Sequence, residues 1–165
     1  METTMPRIRT CLWLDGTAEE AARFYTDVLQ DGRIIATAHY TPEMAEASNS
    51  TVGDVVTVEF EAEGHRFLAL NGGSHFQITP GISLMVERDT QEGIDELWDA
   101  LAAGGQTMAC GWVTDRFGVS WQVNPTQMAE WMRSDDLEAR RRMWTAMLAM
   151  TKLEREPLQA AFEGR

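Results

Sequence analysis

The residues best equipped for chemistry gather in the run "CGWVTDRFGVSWQVNP" at 110–125, which holds a cysteine, two tryptophans, an Asp-Arg-Phe-Gly turn and one glutamine. Strand alternation puts Ser120 and Gln122 on one face and Val119, Trp121 and Val123 on the other. The first face is the candidate ligand face; Trp121, on the second, is expected in the core. Trp13 and Trp112 lie on other strands and are candidates to line the same pocket, with core packing as the rival for both. Together with the amides of Asn71 and Gln122, such an aromatic wall suits a planar or amphipathic small molecule.

The histidines and cysteines carry less. His39 ends a predicted strand and His65 sits at a hairpin turn, so both read as exposed and structural. His75 follows Asn71-Gly72-Gly73 and precedes Phe76. There it can act as a general acid or base over a cleft, or stand as a solvated linker histidine. Cys110 is either a reactive thiol or a buried packing residue. Cys11 and Cys110 are too few for a disulfide framework and no C-x-x-C occurs, which predicts a reducing, cytoplasmic setting. No G-x-S-x-G, H-E-x-x-H or P-loop is present.

Composition bounds the partners. The net charge of -12 repels phosphate backbones and anionic membranes and serves mainly solubility. Neither nucleic acid nor a membrane is an expected partner. No run of about 18 apolar residues exists to span a bilayer, and "METTMPRIRTCLWLDG" has no signal-peptide pattern.

The elements that must position these residues follow from periodicity. "RIRTCLWL" reads as a strand, and Thr17 to Glu20 resembles a capping box opening a helix to about Leu29. Ala21, Phe24, Tyr25, Val28 and Leu29 make its apolar face. A strand follows at 33–40, then "TPEMAEASNSTVGD", read as a polar, mobile loop. "VVTVEFEAEGHRFLALNGG" alternates as a hairpin turning at Glu63-Gly64. After "SHFQITP" the pattern restarts: a strand in "GISLMVE", a cap signature at Asp89 to Glu92, a helix to about Ala103, and short strands. At an offset of about 72 residues, Leu12, Leu14 and Leu29 fall on Leu84, Val86 and Leu101. Further on, "LALNGG" sits over "WQVNPT". Each half reads strand, helix, three strands, and two such halves enclose a cleft suited to a ligand. From Pro125 onward the chain is helical. Met128, Trp131 and Met132 form one apolar group, and Leu137, Met143, Trp144, Met147, Leu148 and Met150 another, for packing on the domain or on a second subunit.

The segments "CLWLDGTAEEAARFYTDVL", "VTVEFEAEGHRFLALNGGSHF", "ISLMV" and "CGWVTDRFGVSWQVNP" resemble the PhnB-like branch of the vicinal oxygen chelate superfamily. That superfamily includes glyoxalases, extradiol dioxygenases and fosfomycin or bleomycin resistance proteins. The branch's label, demethylubiquinone methyltransferase-like, finds no support in the first strand–helix turn. Asp15-Gly16-Thr17 lacks the Gly-rich pattern of a doubly wound cofactor site. The resemblance implies an α+β fold of paired βαβββ modules, at 7–75 and 76–125, with a C-terminal helical extension at 126–165. Metal-using members place ligands on the first and last strands of each module. By the resemblance, those positions fall at Thr10 or Cys11, near Ala69, at Ile82 or Ser83, and at Gln122, where glyoxalase-like members carry a glutamate. These residue types lack the donors a divalent cation needs, so no cofactor is expected and a metal is disfavoured. The expectation is a homodimeric binder of a small organic molecule, with Cys11, Trp13, Asn71, His75, Phe76, Trp112, Ser120 and Gln122 as pocket candidates. A metal-dependent lyase, isomerase or dioxygenase, and a non-catalytic sequestration protein, are the alternatives.

Overall fold

The computed structural model describes residues 8–165. The chain divides into two compact units, one ending at Ile78 and the other running from Thr79 to Arg165.

The first unit contains β1 (Thr10–Leu14), α1 (Ala18–Val28), β2 (Arg33–His39), α2 (Pro42–Ser48), β3 (Val55–Ala62) and β4 (His65–Asn71). Its sheet runs β1-β4-β3-β2. β1 lies parallel to β4, and β3 is antiparallel to both its neighbours. The β3–β4 hairpin turns where expected. Glu63 and Gly64 both take positive φ, 51° and 68°, which matches the right-handed strand twist. α1 covers one face of the sheet. Its Ala18, Ala21 and Ala22 are buried and allow close approach. Tyr25 stacks on Phe60 at 5.9 Å, and Phe60 on Phe67 at 4.9 Å.

Two local expectations fail. The segment read as a mobile loop contains α2. Thr41 caps it by accepting from the Met44 amide at 3.4 Å, and Pro42 opens it. The expected capping box at α1 does not form, because Thr17 makes no side-chain cap bond. Instead Asn71 Oδ1, from β4, accepts from the Ala18 amide at 2.9 Å.

The second unit repeats the order with β5 (Leu84–Arg88), α3 (Gln91–Ala102), β6 (Gln106–Thr107), β7 (Trp112–Thr114) and β8 (Ser120–Pro125). Its sheet runs β5-β8-β7-β6, again with first and last strands parallel. α3 packs on β7 and β8. Trp121 is buried as expected, and its Nε1 donates to Asp115 Oδ2 at 2.8 Å. Asp115 Oδ1 also accepts from the Phe117 and Val119 amides at 2.8 and 3.1 Å, which sets the β7–β8 turn. Gly118, at φ 84°, completes it.

α4 (Met128–Arg133), α5 (Leu137–Leu148) and α6 (Arg155–Glu163) follow within the same unit. The two apolar groups expected here regroup by helix face. Met128, Trp131, Met143 and Met147 join Leu153 and Leu158 in one buried cluster, with Cys110 and Met150 against it. Met132, Leu137, Trp144 and Leu148 face outward. The Cys110 amide donates to the Met150 carbonyl at 2.8 Å, so this cysteine packs at the junction of sheet and helices. Arg142 Nε and Nη2 donate to the Ala161 and Phe162 carbonyls at 3.0 and 2.8 Å, satisfying the end of α6. Among the described residues, no helix is long and apolar enough to cross a membrane.

Candidate functional site

The helices claim one face of each sheet, so the opposite faces hold the candidate chemistry. In β1, Leu12 and Leu14 are buried toward α1, while Cys11 and Trp13 alternate to the far face. Their register partners on β4 are Leu68 and Leu70. Trp13 is held firmly. Its Nε1 donates to the Gly73 carbonyl at 2.8 Å, and Phe76 meets its ring edge-on at 4.9 Å and 77°. Gly72 makes this possible, since a Cβ there would lie 2.2 Å from the indole. Phe76, in the connection between β4 and β5, is 66% exposed beside Trp13.

Asn71 does not belong to this group. Its Oδ1 accepts from Ala18, and its Nδ2 donates to the Val55 carbonyl at 2.9 Å, so both ends of the amide serve the fold. His75 is exposed and takes part in none of the side-chain bonds among the described residues. His65 bonds Thr10 Oγ1 at 2.9 Å and His39 Nδ1 bonds the Gly53 carbonyl at 2.9 Å, in keeping with structural roles.

In the second unit, Gln122 lies beside Met85 of β5 and Trp112 of β7 on the face turned from α3. Gln122 Nε2 donates to Ser83 Oγ at 2.8 Å. Trp112 is half-buried on the same face. Ser120 shares it but is fully buried, with its hydroxyl 3.2 Å from Thr114 Oγ1, so it offers no surface to a ligand.

The registers also correct the placement of metal-ligand positions. Leu12 pairs with Ala69 as Val86 pairs with Val123, and Cys11 with Leu68 as Met85 with Gln122. Ala69 therefore matches the core residue Val123, and the first-sheet counterpart of Gln122 is Leu68. The sequence alignment of "LALNGG" on "WQVNPT" was one residue out, which inverts the face. Thr10 is spent on His65, and Ile82 precedes β5 as an exposed residue. The corrected set, Cys11, Leu68, Ser83 and Gln122, offers a thiol, a hydroxyl and an amide but no imidazole or carboxylate. It does not fit a divalent cation. Among the described residues, no three His, Cys, Asp or Glu side chains converge.

One group was missed by sequence reasoning. Arg9, just before β1, forms a row with Arg66, Glu61 and Arg33 of β4, β3 and β2 on the Trp13 face, with Glu59 one step along. Glu59 binds Arg9 at 3.1 Å and Arg66 at 3.2 Å; Glu61 binds Arg66 and, at 2.9 Å, Arg33. The alternation of Glu59 and Glu61 in β3 was visible, but the arginines lie on three separate segments and only pairing brings them together.

A depression of about 920 Å³ lies elsewhere in the second unit and is lined by Gln91, Asp95, Lys152, Arg155 and Glu163. None of the candidate residues borders it. The bond from Gln91, then Lys152, holds the Asp95 carboxyl below its ordinary range.

The profile described as 3-demethylubiquinone-9 3-methyltransferase matches residues 6–124. The chain belongs to that family. It is thus a PhnB-like member of the vicinal oxygen chelate superfamily. A PhnB protein from Bacillus cereus, carrying the same methyltransferase description, is 29% identical with a TM-score of 0.66, over 73% of this chain and 100% of its own. A protein from Pseudomonas aeruginosa is 25% identical with a TM-score of 0.60, over 73% and 98%. The Listeria monocytogenes fosfomycin resistance protein FosX, solved with Mn(II) and sulfate, is 13% identical with a TM-score of 0.54, over 81% and 100%, and shares the fold. No protein of curated function matches this PhnB-like chain.

Proposed function

We propose that this PhnB-like protein binds a small organic molecule on the sheet faces turned from its helices, and does so without a divalent cation. The observation that carries this reading is Trp13. Its indole is fixed by Gly73 and by a close-approach glycine, with Phe76 exposed beside it. A rigid aromatic surface presents apolar area at little entropic cost. The second sheet has on its own far face the neutral hydrogen-bonding pair Gln122 and Ser83. Methyl transfer is not part of the reading. The β1–α1 turn has no Gly-rich pattern, and each sheet is a mixed four-stranded one rather than a doubly wound one.

The working unit in this reading is a homodimer. The outward stripe of Leu137, Trp144 and Leu148 on α5 supports it, since apolar stripes normally find cover. Light scattering tests the assembly.

Titration of planar aromatic amphiphiles, followed by tryptophan emission with and without chelator, tests the site. The expected result is saturable binding that chelator leaves unchanged and that Trp13→Ala weakens about tenfold or more. Binding that appears only with added Mn²⁺ or Zn²⁺, together with a large metal-induced rise in Tm, would overturn the metal-free reading.

A further inference from the structure

The ion-paired row on the first sheet has more donors than it spends. Three arginines meet two carboxylates, leaving one net positive charge in a chain of net charge -12. Each guanidinium has five N–H groups. The pairs with the carboxylates use Nη1 of Arg9, Nη2 of Arg33, and Nε and Nη1 of Arg66. Arg66 is the anchor, at 12% exposure, while the Arg9 and Arg33 side chains are 44% and 62% exposed. The two glutamates hold the guanidinium planes in place, which lowers the entropy lost when a further acceptor binds. Along the same face, Leu68 and Leu70 follow Arg66 on β4, and Trp13 is the register partner of Leu70. Four residues of strand separate Arg66 from Leu70, about 13 Å. Along β4 the face therefore runs from cationic to apolar over the length of a small molecule, with Glu59 of β3 beside Leu68.

We infer that this face selects an organic carboxylate, with its anionic group on the Arg9–Arg66–Arg33 row and its apolar body along Leu68 and Leu70 toward Trp13. The inference rests on the ligand-binding reading above and specifies its ligand class. A planar carboxylate matches the guanidinium fork and accepts charge-assisted hydrogen bonds. An uncharged amide of the same shape keeps the apolar contact but accepts through one neutral carbonyl, a weaker bond. A dianion is disfavoured because Glu61 lies within the row and Glu59 one step along it.

The test is isothermal titration of 4-phenylbutyrate and its uncharged twin 4-phenylbutanamide into the full chain. The carboxylate is expected to bind about tenfold tighter, the yield of a charge-assisted hydrogen bond. That preference should shrink as salt rises. Arg66→Gln is expected to abolish the preference, weakening the carboxylate far more than the amide. Arg33→Gln, at the exposed edge, gives the same direction should Arg66→Gln fail to fold. Equal affinity for the twins, or a preference that survives both substitutions, overturns the carboxylate inference while leaving the binding reading intact. Failure of both twins to bind sinks the two together.

Discussion

The two units share a topology and solve its problems differently. In each, a helix enters after the first strand, and the last strand returns to pair parallel with it. In the first unit the helix start is capped from a distance, by Asn71 of β4. In the second it is capped locally, with Thr90 Oγ1 accepting from the Gly93 amide at 3.1 Å. The far faces diverge more. The first carries charge and a fixed tryptophan; the second carries neutral Ser83, Gln122 and Trp112. The repeat thus preserves backbone pairing and the helix-facing core, while the other face is free to differentiate, as expected where function is grafted on a fold.

Three perturbations would sharpen that contrast. The largest effect is expected at Gly72. Ala there places a Cβ 2.2 Å from the Trp13 ring, so the indole must leave Gly73. A loss of about 1–3 kcal/mol and a changed tryptophan emission are expected in denaturant titration; an unchanged spectrum would show that Trp13 is not fixed. Next come the caps. Asn71→Ala removes two bonds and should cost about 2 kcal/mol, against about 1 for Thr90→Ala. Equal losses in urea melts would mean that the distant cap does no more than the local one. The smallest effect belongs to Asp95, which has no counterpart in the first unit. Its lowered pKa means its stabilisation is present above the unfolded carboxylate range and is lost as pH falls through the folded value. Asp95→Asn should cost about 0.5 kcal/mol or less near neutrality, and the gap to the parent should close in acid. A gap that widens in acid would contradict the sign.

Much of the frame was legible because periodicity reports it. The β3–β4 alternation, the Glu63-Gly64 turn and the burial of Trp121 follow from period-two patterns and turn chemistry. α2 was legible too, since Thr41-Pro42-Glu43 is a cap, an N1 proline and a first-turn acid, but its polar composition masked it. The Asn71 cap was not legible, because it links residues on separate elements. Local sequence offered Thr17 and Glu20 as a plausible substitute. The misplacement at Ala69 came from aligning short strands by letter, where a single step exchanges the core face for the ligand face. The Arg–Glu row hid for the same reason as the cap.

Asn71 also bears on how the first unit assembles. Until β4 is in place, β1 has no neighbour in its sheet, and the first amide of α1 lacks its acceptor. The β3–β4 hairpin, closed by a tight turn, can form on its own terms. The segment synthesised first is therefore the last to be locked, and one side chain from the later hairpin fastens both the strand and the helix that precede it. Substitutions at Phe67 or Phe60 should accordingly slow folding, with φ-values well above those at Leu12. Once the hairpin exists, closing the unit is a docking step, and Asn71 is its latch.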